Sequence, residues 1–221
     1  MRRRDGSNPR MLPPLLAALA IVGALALISG CGSSGSKEKT VTSTTSAAKA
    51  AYKAEAVLSP PTPAPPLALR NYLGQPVNIA DYRGKPVLVT FIYTHCPDVC
   101  PLITSNLRVA QNLMGAQGPS KAQIIAVSVD SKGDDRKTVT AFLKHHEMTG
   151  RMQYLIGTTQ ELARVWKAWG VGSERDAKDP DLVEHSGLVY GITASGKRTT
   201  LYSANFRPAT IAHDVPLLAS H

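Results

Sequence analysis

Cysteine is scarce in this chain. Three are found among 221 residues, Cys31, Cys96 and Cys100, which permits at most one intrachain bridge. Aromatic residues make up only 5 % of the sequence, and no basic helix or aromatic-basic motif interrupts it. The net charge of +9 therefore argues little for nucleic acid; an anionic membrane surface or an acidic partner suits it better. Large apolar side chains are nearly missing from residues 32–66, where Ser, Thr, Ala and Lys give way to Ser59-Pro60-Pro61-Thr62-Pro63-Ala64-Pro65-Pro66. That composition excludes a packed core there. It predicts a disordered spacer over residues 31–66 with a stiffer, extended end.

What precedes the spacer is of another kind. Arg2, Arg3, Arg4 and Arg10 lead into an apolar run over residues 11–28, closed by Ile28-Ser29-Gly30-Cys31. A basic start, an apolar middle and small residues at the end predict a secretory signal over residues 1–30. The cysteine after Ser-Gly resembles a bacterial lipobox, in which that cysteine is lipidated and begins the mature chain. The other reading is an uncleaved membrane anchor, although Pro13 and Pro14 shorten its regular part. Both place the remainder on the extracytoplasmic face of a membrane. With Cys31 lipidated, any intrachain disulfide must join Cys96 to Cys100.

Residues 67–221 suit a single domain. Residues 67–69 and 77–79 flank Asn71-Tyr72-Leu73-Gly74-Gln75-Pro76 as a hairpin. A continuous β-branched and aromatic run, residues 87–93, follows Gly84-Lys85-Pro86 and reads as a buried central strand. A helix follows it, then a strand at 124–129, a helix around 138–147, a strand at 153–156 and a helix near 159–169. The chain closes with strands at 187–193 and 198–202 and a helix at 208–219. Alternating strands and helices predict an α/β fold, a mainly parallel sheet with an antiparallel hairpin and helices on both faces. Trp166 and Trp169 continue the stripe of Leu162, Ala163 and Val165 and are expected in the core.

The central strand ends in Phe91-Ile92-Tyr93-Thr94-His95-Cys96-Pro97-Asp98-Val99-Cys100-Pro101. Pro101 suits the first turn of a helix, where a missing N–H costs nothing, and Leu102, Ile103, Leu107, Ala110, Leu113 and Met114 continue an apolar face. Cys100 is thus expected near the helix start. Residues four apart in a helical turn stack on one face, so both thiols can point to one spot. The helix N-terminus favours anions and is expected to lower the thiol pKa. Two close thiolates either form a disulfide or grip a soft metal ion, and spacing alone does not choose.

Residues 93–101 resemble the signature of the Sco/SenC family, copper-handling relatives of thioredoxin involved in assembling the dinuclear copper site of cytochrome oxidase. The resemblance extends to Gly84-Lys85-Pro86, Val127-Ser128-Val129-Asp130 and Glu184-His185-Ser186 with Tyr190. Thioredoxins space their cysteines by two residues, and a peroxiredoxin would want threonine where this chain has Tyr93. The resemblance implies a thioredoxin-like fold, with Cys96, Cys100 and His185 as metal ligands. Soft thiolates suit Cu(I), and imidazole suits Cu(I) or Cu(II). His185 also precedes the strand before which thioredoxins place a cis-proline facing their dithiol, and no proline occurs here. Two departures touch the surroundings of the ligands. Tyr190-Gly191-Ile192-Thr193-Ala194 replaces a Tyr-Leu-Ile-Asp-Pro run, and Glu184 stands where aspartate is common.

The other histidines read differently. His95 is expected to point away from the metal, and His145 and His146 to lie apart on a solvated helix surface. His213 and His221 have no partner pattern. Two functions of different class use the same cysteines. One is a copper carrier, not an enzyme, which receives copper from a donor and yields it to an oxidase subunit. The other is a thiol-disulfide oxidoreductase, supplied by a thiol reductant, in which Cys96 and Cys100 attack and resolve a target disulfide.

Overall fold

Among the described residues the longest uninterrupted burial runs through β4, Val87–Ile92, in which every residue is buried. A strand that alternates no polar residue must be covered on both faces, and the rest of the fold supplies those covers. The computed structural model describes residues 51–172, 174–175, 183–184 and 187–221. All of these lie in one unit, Ala47–His221. In chain order the elements are β1 (Ala56–Pro63), β2 (Ala68–Asn71), β3 (Pro76–Asn78), a 3-10 turn (Ile79–Tyr82), β4, α1 (Val99–Leu113) and α2 (Gly118–Lys121). There follow β5 (Gln123–Ser128), α3 (Arg136–His145), β6 (Gln153–Ile156), α4 (Thr159–Trp169), β7 (Glu174–Arg175), β8 (Val183–Glu184), β9 (Val189–Ile192), β10 (Lys197–Tyr202) and α5 (Pro208–Ala219).

Eight strands form one sheet in the order β1-β10-β9-β4-β5-β6-β2-β3, and β7 and β8 pair separately. Only β4 with β5 and β5 with β6 run parallel; the remaining junctions of the large sheet are antiparallel. The expectation of a mainly parallel sheet is thereby corrected to a mixed one. The parallel centre is the two crossovers through α1 and α3, and hairpins extend it on either side.

The faces are read from the register. Leu88 pairs with Gly191, and a side chain at Gly191 would strike Thr200 of β10 and Leu218 of α5, so α5 covers that face, with α1 packed against it. Val89 pairs with Tyr190 on the opposite face. There Trp169 of α4 meets Phe91 at 5.7 Å and Tyr190 at 5.3 Å between ring centroids. Trp166 and Trp169 are core residues, as their spacing predicts. Their indole N–H groups donate to the carbonyls of Ser128 (2.9 Å) and Pro66 (3.3 Å), which satisfies the polar end of each buried ring.

Helix starts follow from local chemistry. Asp135 and Thr138 form a capping box on α3, and Thr158 and Glu161 form one on α4, each cap worth about 1 kcal/mol. Gly170 ends α4 in the left-handed region at φ 67°, where a side chain would be strained.

The proline-rich stretch departs from expectation. Residues 56–63, read from composition as part of a disordered spacer, are β1, paired antiparallel with β10. Its residues are nearly all exposed, and its register shifts between Val57 and Thr62. Proline cannot donate to a ladder and is confined to edges and bulges, which is where Pro60, Pro61 and Pro63 stand. The signal segment, Cys31 and the first part of the spacer lie outside the described residues. Among the described residues no helix is long and apolar enough to cross a membrane.

Candidate metal centre

β4 delivers the chain to the carboxyl edge of the sheet centre, and residues 93–98 turn it into α1. Such strand-to-helix junctions are where open α/β sheets form sites. The Cys96 amide donates to the Tyr93 carbonyl (3.4 Å), closing the turn beneath the first cysteine. Cys100 is the second residue of α1, close to the start expected for it. Its amide donates to Cys96 Sγ at 3.3 Å, so one sulfur sits directly at the helix N-terminus.

The two cysteines meet as the four-residue spacing requires. Cys96 is 7 % exposed and Cys100 fully buried. They are not joined by a disulfide. The expected lowering of thiol pKa does not hold for Cys100. Burial drives its thiol far above the ordinary range, with the hydrogen bond to Cys96 and the charges of Cys96 and Asp134 adding to the rise. A second anionic sulfur beside the first is opposed unless a cation joins them. That pair, one sulfur nearly buried and one sealed below, suits a soft, low-coordinate metal ion.

His185, the third expected ligand, lies outside the described residues. Among the described residues no group of three or more His, Cys, Asp or Glu side chains is set to hold a metal.

Behind the cysteines stands a residue that sequence reading passed over. Asp134 is buried and accepts from the Thr94 amide (2.9 Å), the Thr94 hydroxyl (2.7 Å), Ser128 Oγ (2.6 Å) and the Tyr154 hydroxyl (2.8 Å). Burial raises its carboxyl above the usual range, and the hydrogen bonds from Ser128, Thr94 and Tyr154 counter part of the rise. The only signal in sequence was the doublet Asp134-Asp135, whose second member reads as a helix cap and conceals the first. Gly133 permits the close passage: a Cβ there would collide with the Asp130 carboxylate and press on the His95 ring.

The remaining histidines are placed as follows. His95 is exposed, with Nδ1 at 3.2 Å from Thr94 Oγ1. His145 and His146 do not point apart: their rings are 4.9 Å between centroids, edge to face, and His146 also packs on Phe142 at 4.5 Å. They close α3, where the helix loosens and neighbours no longer diverge by a full helical step. His213 has a partner after all, the buried Asp214 carboxylate at 2.8 Å. The His221 carbonyl accepts from the Ser195 amide (2.9 Å).

The family description SCO1/SenC matches residues 59–220. The chain is 30 % identical over 152 residues to the protein SenC of Rhodobacter capsulatus, covering 68 % of this chain and 67 % of SenC. It is 27 % identical over 154 residues to the mitochondrial SCO1 homologue of Mus musculus, covering 68 % of this chain and 54 % of that protein. The chain thus spans about half the length of the curated mitochondrial SCO1 proteins it matches. Among solved structures, Bradyrhizobium japonicum ScoI with copper bound is similar at a TM-score of 0.60 and 29 % identity, covering 71 % of this chain and 99 % of that one.

Proposed function

The chain belongs to the SCO1/SenC family, and from that premise we propose that it is an extracytoplasmic copper carrier serving the assembly of a cytochrome oxidase. The fold is thioredoxin-like, and a member of the family is known with copper bound. In our reading Cys96 and Cys100 supply two thiolate ligands and His185 an imidazole. Copper is cargo here rather than a resident cofactor. A site of two sulfurs and one nitrogen leaves Cu(I) short of ligands, so an oxidase subunit carrying thiolate or imidazole groups can enter and take the ion by exchange. Cys31, lipidated, would hold the domain at the membrane through residues 32–50.

The observation that supports this reading best is the contact between the two cysteines. The amide of Cys100 reaches Cys96 Sγ, and burial pushes the Cys100 thiol far above its ordinary range. A cation bound between the sulfurs would offset the cost of ionising both. The test is a Cu(I) titration of the reduced full chain against a competing chelator, with Cys96→Ser, Cys100→Ser and His185→Ala alongside. One equivalent bound tightly by the parent, and lost or weakened at least tenfold in each variant, is the expected result. Affinity indifferent to His185 would remove the imidazole from the site. Cys31→Ser is expected to release or misprocess the protein, and unchanged membrane retention would favour a plain apolar anchor.

One observation favours a second reading. Cys96 reaches solvent while Cys100 does not, the asymmetry of an attacking and a resolving thiol. In that role Cys96 attacks a target disulfide, Cys100 displaces the target sulfur, and the pair leaves as a disulfide with the target reduced. A thiol reductant must then restore the dithiol. His185→Ala separates the two readings, because disulfide exchange needs no imidazole at that position.

A further inference from the structure

Beside the cysteine turn lies an open groove of about 460 Å³, walled by Thr94, His95 and Pro101 on one side and Phe142, His145 and His146 on the other. Three of the six histidines of the chain therefore line one depression adjoining Cys96. Among the described residues no acidic side chain lines it. We propose that this groove is a second metal site, which takes a borderline divalent cation, Cu(II) in the first instance, through imidazole nitrogens.

The His95 ring is prepared for the task by its neighbours. The Thr94 hydroxyl gives its proton to Asp134 at 2.7 Å, so toward His95 it can only accept. The 3.2 Å contact with His95 Nδ1 then requires a proton on Nδ1. In the neutral ring Nε2 is left with its lone pair exposed, the form in which imidazole binds metals. The chain Asp134–Thr94–His95 fixes that tautomer as a carboxylate fixes a metal-binding histidine elsewhere.

The opposite wall contributes through its position. His145 is the last residue of α3 and His146 its C-cap, where helix carbonyl dipoles favour a cation. His146 packs on Phe142 at 4.5 Å between ring centroids, which holds its ring at the groove wall. Arg108 opposes a cation in the groove, but its guanidinium is drawn toward Glu147 (3.4 Å). Without carboxylates the groove has nothing for calcium or magnesium, and nitrogen donors select copper, nickel or zinc. As they stand, no three side chains converge on one point. His95 and His145 are exposed, and rotation among their side-chain rotamers can complete the set.

The choice of copper rests on the carrier reading; the imidazole site does not. The test uses the full chain carrying Cys96→Ser and Cys100→Ser, so that sulfur is out of play, titrated with a Cu(II) salt against a competing chelator and followed by electron paramagnetic resonance. One equivalent is expected, with nitrogen superhyperfine structure. His145→Gln with His146→Gln should weaken it at least tenfold, and His213→Gln should not. Equal affinity in the His145/His146 variant, or nitrogen coupling that depends on His213 instead, would overturn the proposal. A second measurement needs no cysteine change. Zn(II) added beyond the first equivalent to the unaltered chain should perturb the ring-proton resonances of His95, His145 and His146, and perturbation confined elsewhere counts against the site. Loss of Cu(I) binding at the first equivalent tells against the cysteine reading alone, since that titration leaves these histidines untouched.

Discussion

Thr94 hands Asp134 two hydrogen bonds, one from its amide at 2.9 Å and one from its hydroxyl at 2.7 Å. Asp134 binds Ser128 and Tyr154 with its other oxygen, so the residue two places before Cys96 is moored to β5 and β6 through a single buried carboxylate. The position of the first sulfur is thus set from behind, through β5 and β6.

That mooring predicts the behaviour of Asp134→Asn. An amide offers one acceptor oxygen to donors that now share two, and its NH2 faces hydroxyls. The cost should be about 1–3 kcal/mol, and Cu(I) affinity should fall roughly tenfold as the turn loosens. The pH dependence gives a sharper check. Burial raises the folded pKa of Asp134, so its contribution is fully present below the ordinary carboxyl value near 4. It is lost as pH rises through the folded value. Urea unfolding of both proteins across that window should show the variant gaining on the parent as pH rises; parallel curves would mean the carboxyl titrates normally.

Cys96 and Cys100 should differ sharply as nucleophiles. Cys96 keeps 7 % exposure beside a helix N-terminus, whereas the Cys100 thiol is fully buried and pushed far above the usual range. Reaction with iodoacetamide near pH 8, mapped by peptide mass, should modify Cys96 at least about tenfold faster. Comparable rates at the two positions would mean the turn opens on the labelling timescale.

How much of this was written in the sequence varies from element to element. The run through β4 into Cys96, Cys100 and Pro101 is legible because a buried strand and a helix start each leave a local pattern, one of burial and one of capping. Asp134 is not. Its partners Thr94, Ser128 and Tyr154 come from three separate places in the chain, and nothing local to residue 134 announces them. The second half of the spacer fails for the opposite reason. Residues 56–63 lack the apolar alternation of a half-buried strand, because an edge strand covered only along its hydrogen-bonding side needs none. His145 and His146 were misplaced by assuming ideal helix geometry at a terminus.

β1 should therefore be structural rather than a linker. Removing residues 51–63 exposes the ladder of β10 and leaves Asp214 without the Lys53 amide. Stability should drop by about 2 kcal/mol or more, and the uncovered edge should promote self-association. Sedimentation and thermal unfolding of the shortened chain measure both. An unchanged melting temperature with a monomeric sedimentation coefficient would restore the disordered spacer.

The last prediction concerns the buried face of α5, where Asp214 is completely inaccessible. Its carboxylate accepts from the Lys53 amide at 2.9 and 3.1 Å, from the Tyr202 hydroxyl at 3.0 Å and from His213 at 2.8 Å. Three elements converge on it: the segment before β1, the end of β10 and α5 itself. Asp214→Ala strips all of these donors of their acceptor inside a packed layer, which should cost on the order of 3 kcal/mol. The loss should be felt first at the segment before β1, since Tyr202 keeps its contact with Thr200 (3.1 Å) and α5 keeps its apolar packing. Hydrogen exchange at the Lys53 amide should accelerate well beyond that at Thr90 or Ile125, and proteolysis should nick residues 51–55 before the core unfolds. Cu(I) affinity should change little, because the cysteine turn is held through Asp134 and not through Asp214. If exchange instead rises uniformly across the sheet, the carboxylate supports the whole domain and not a strap upon it.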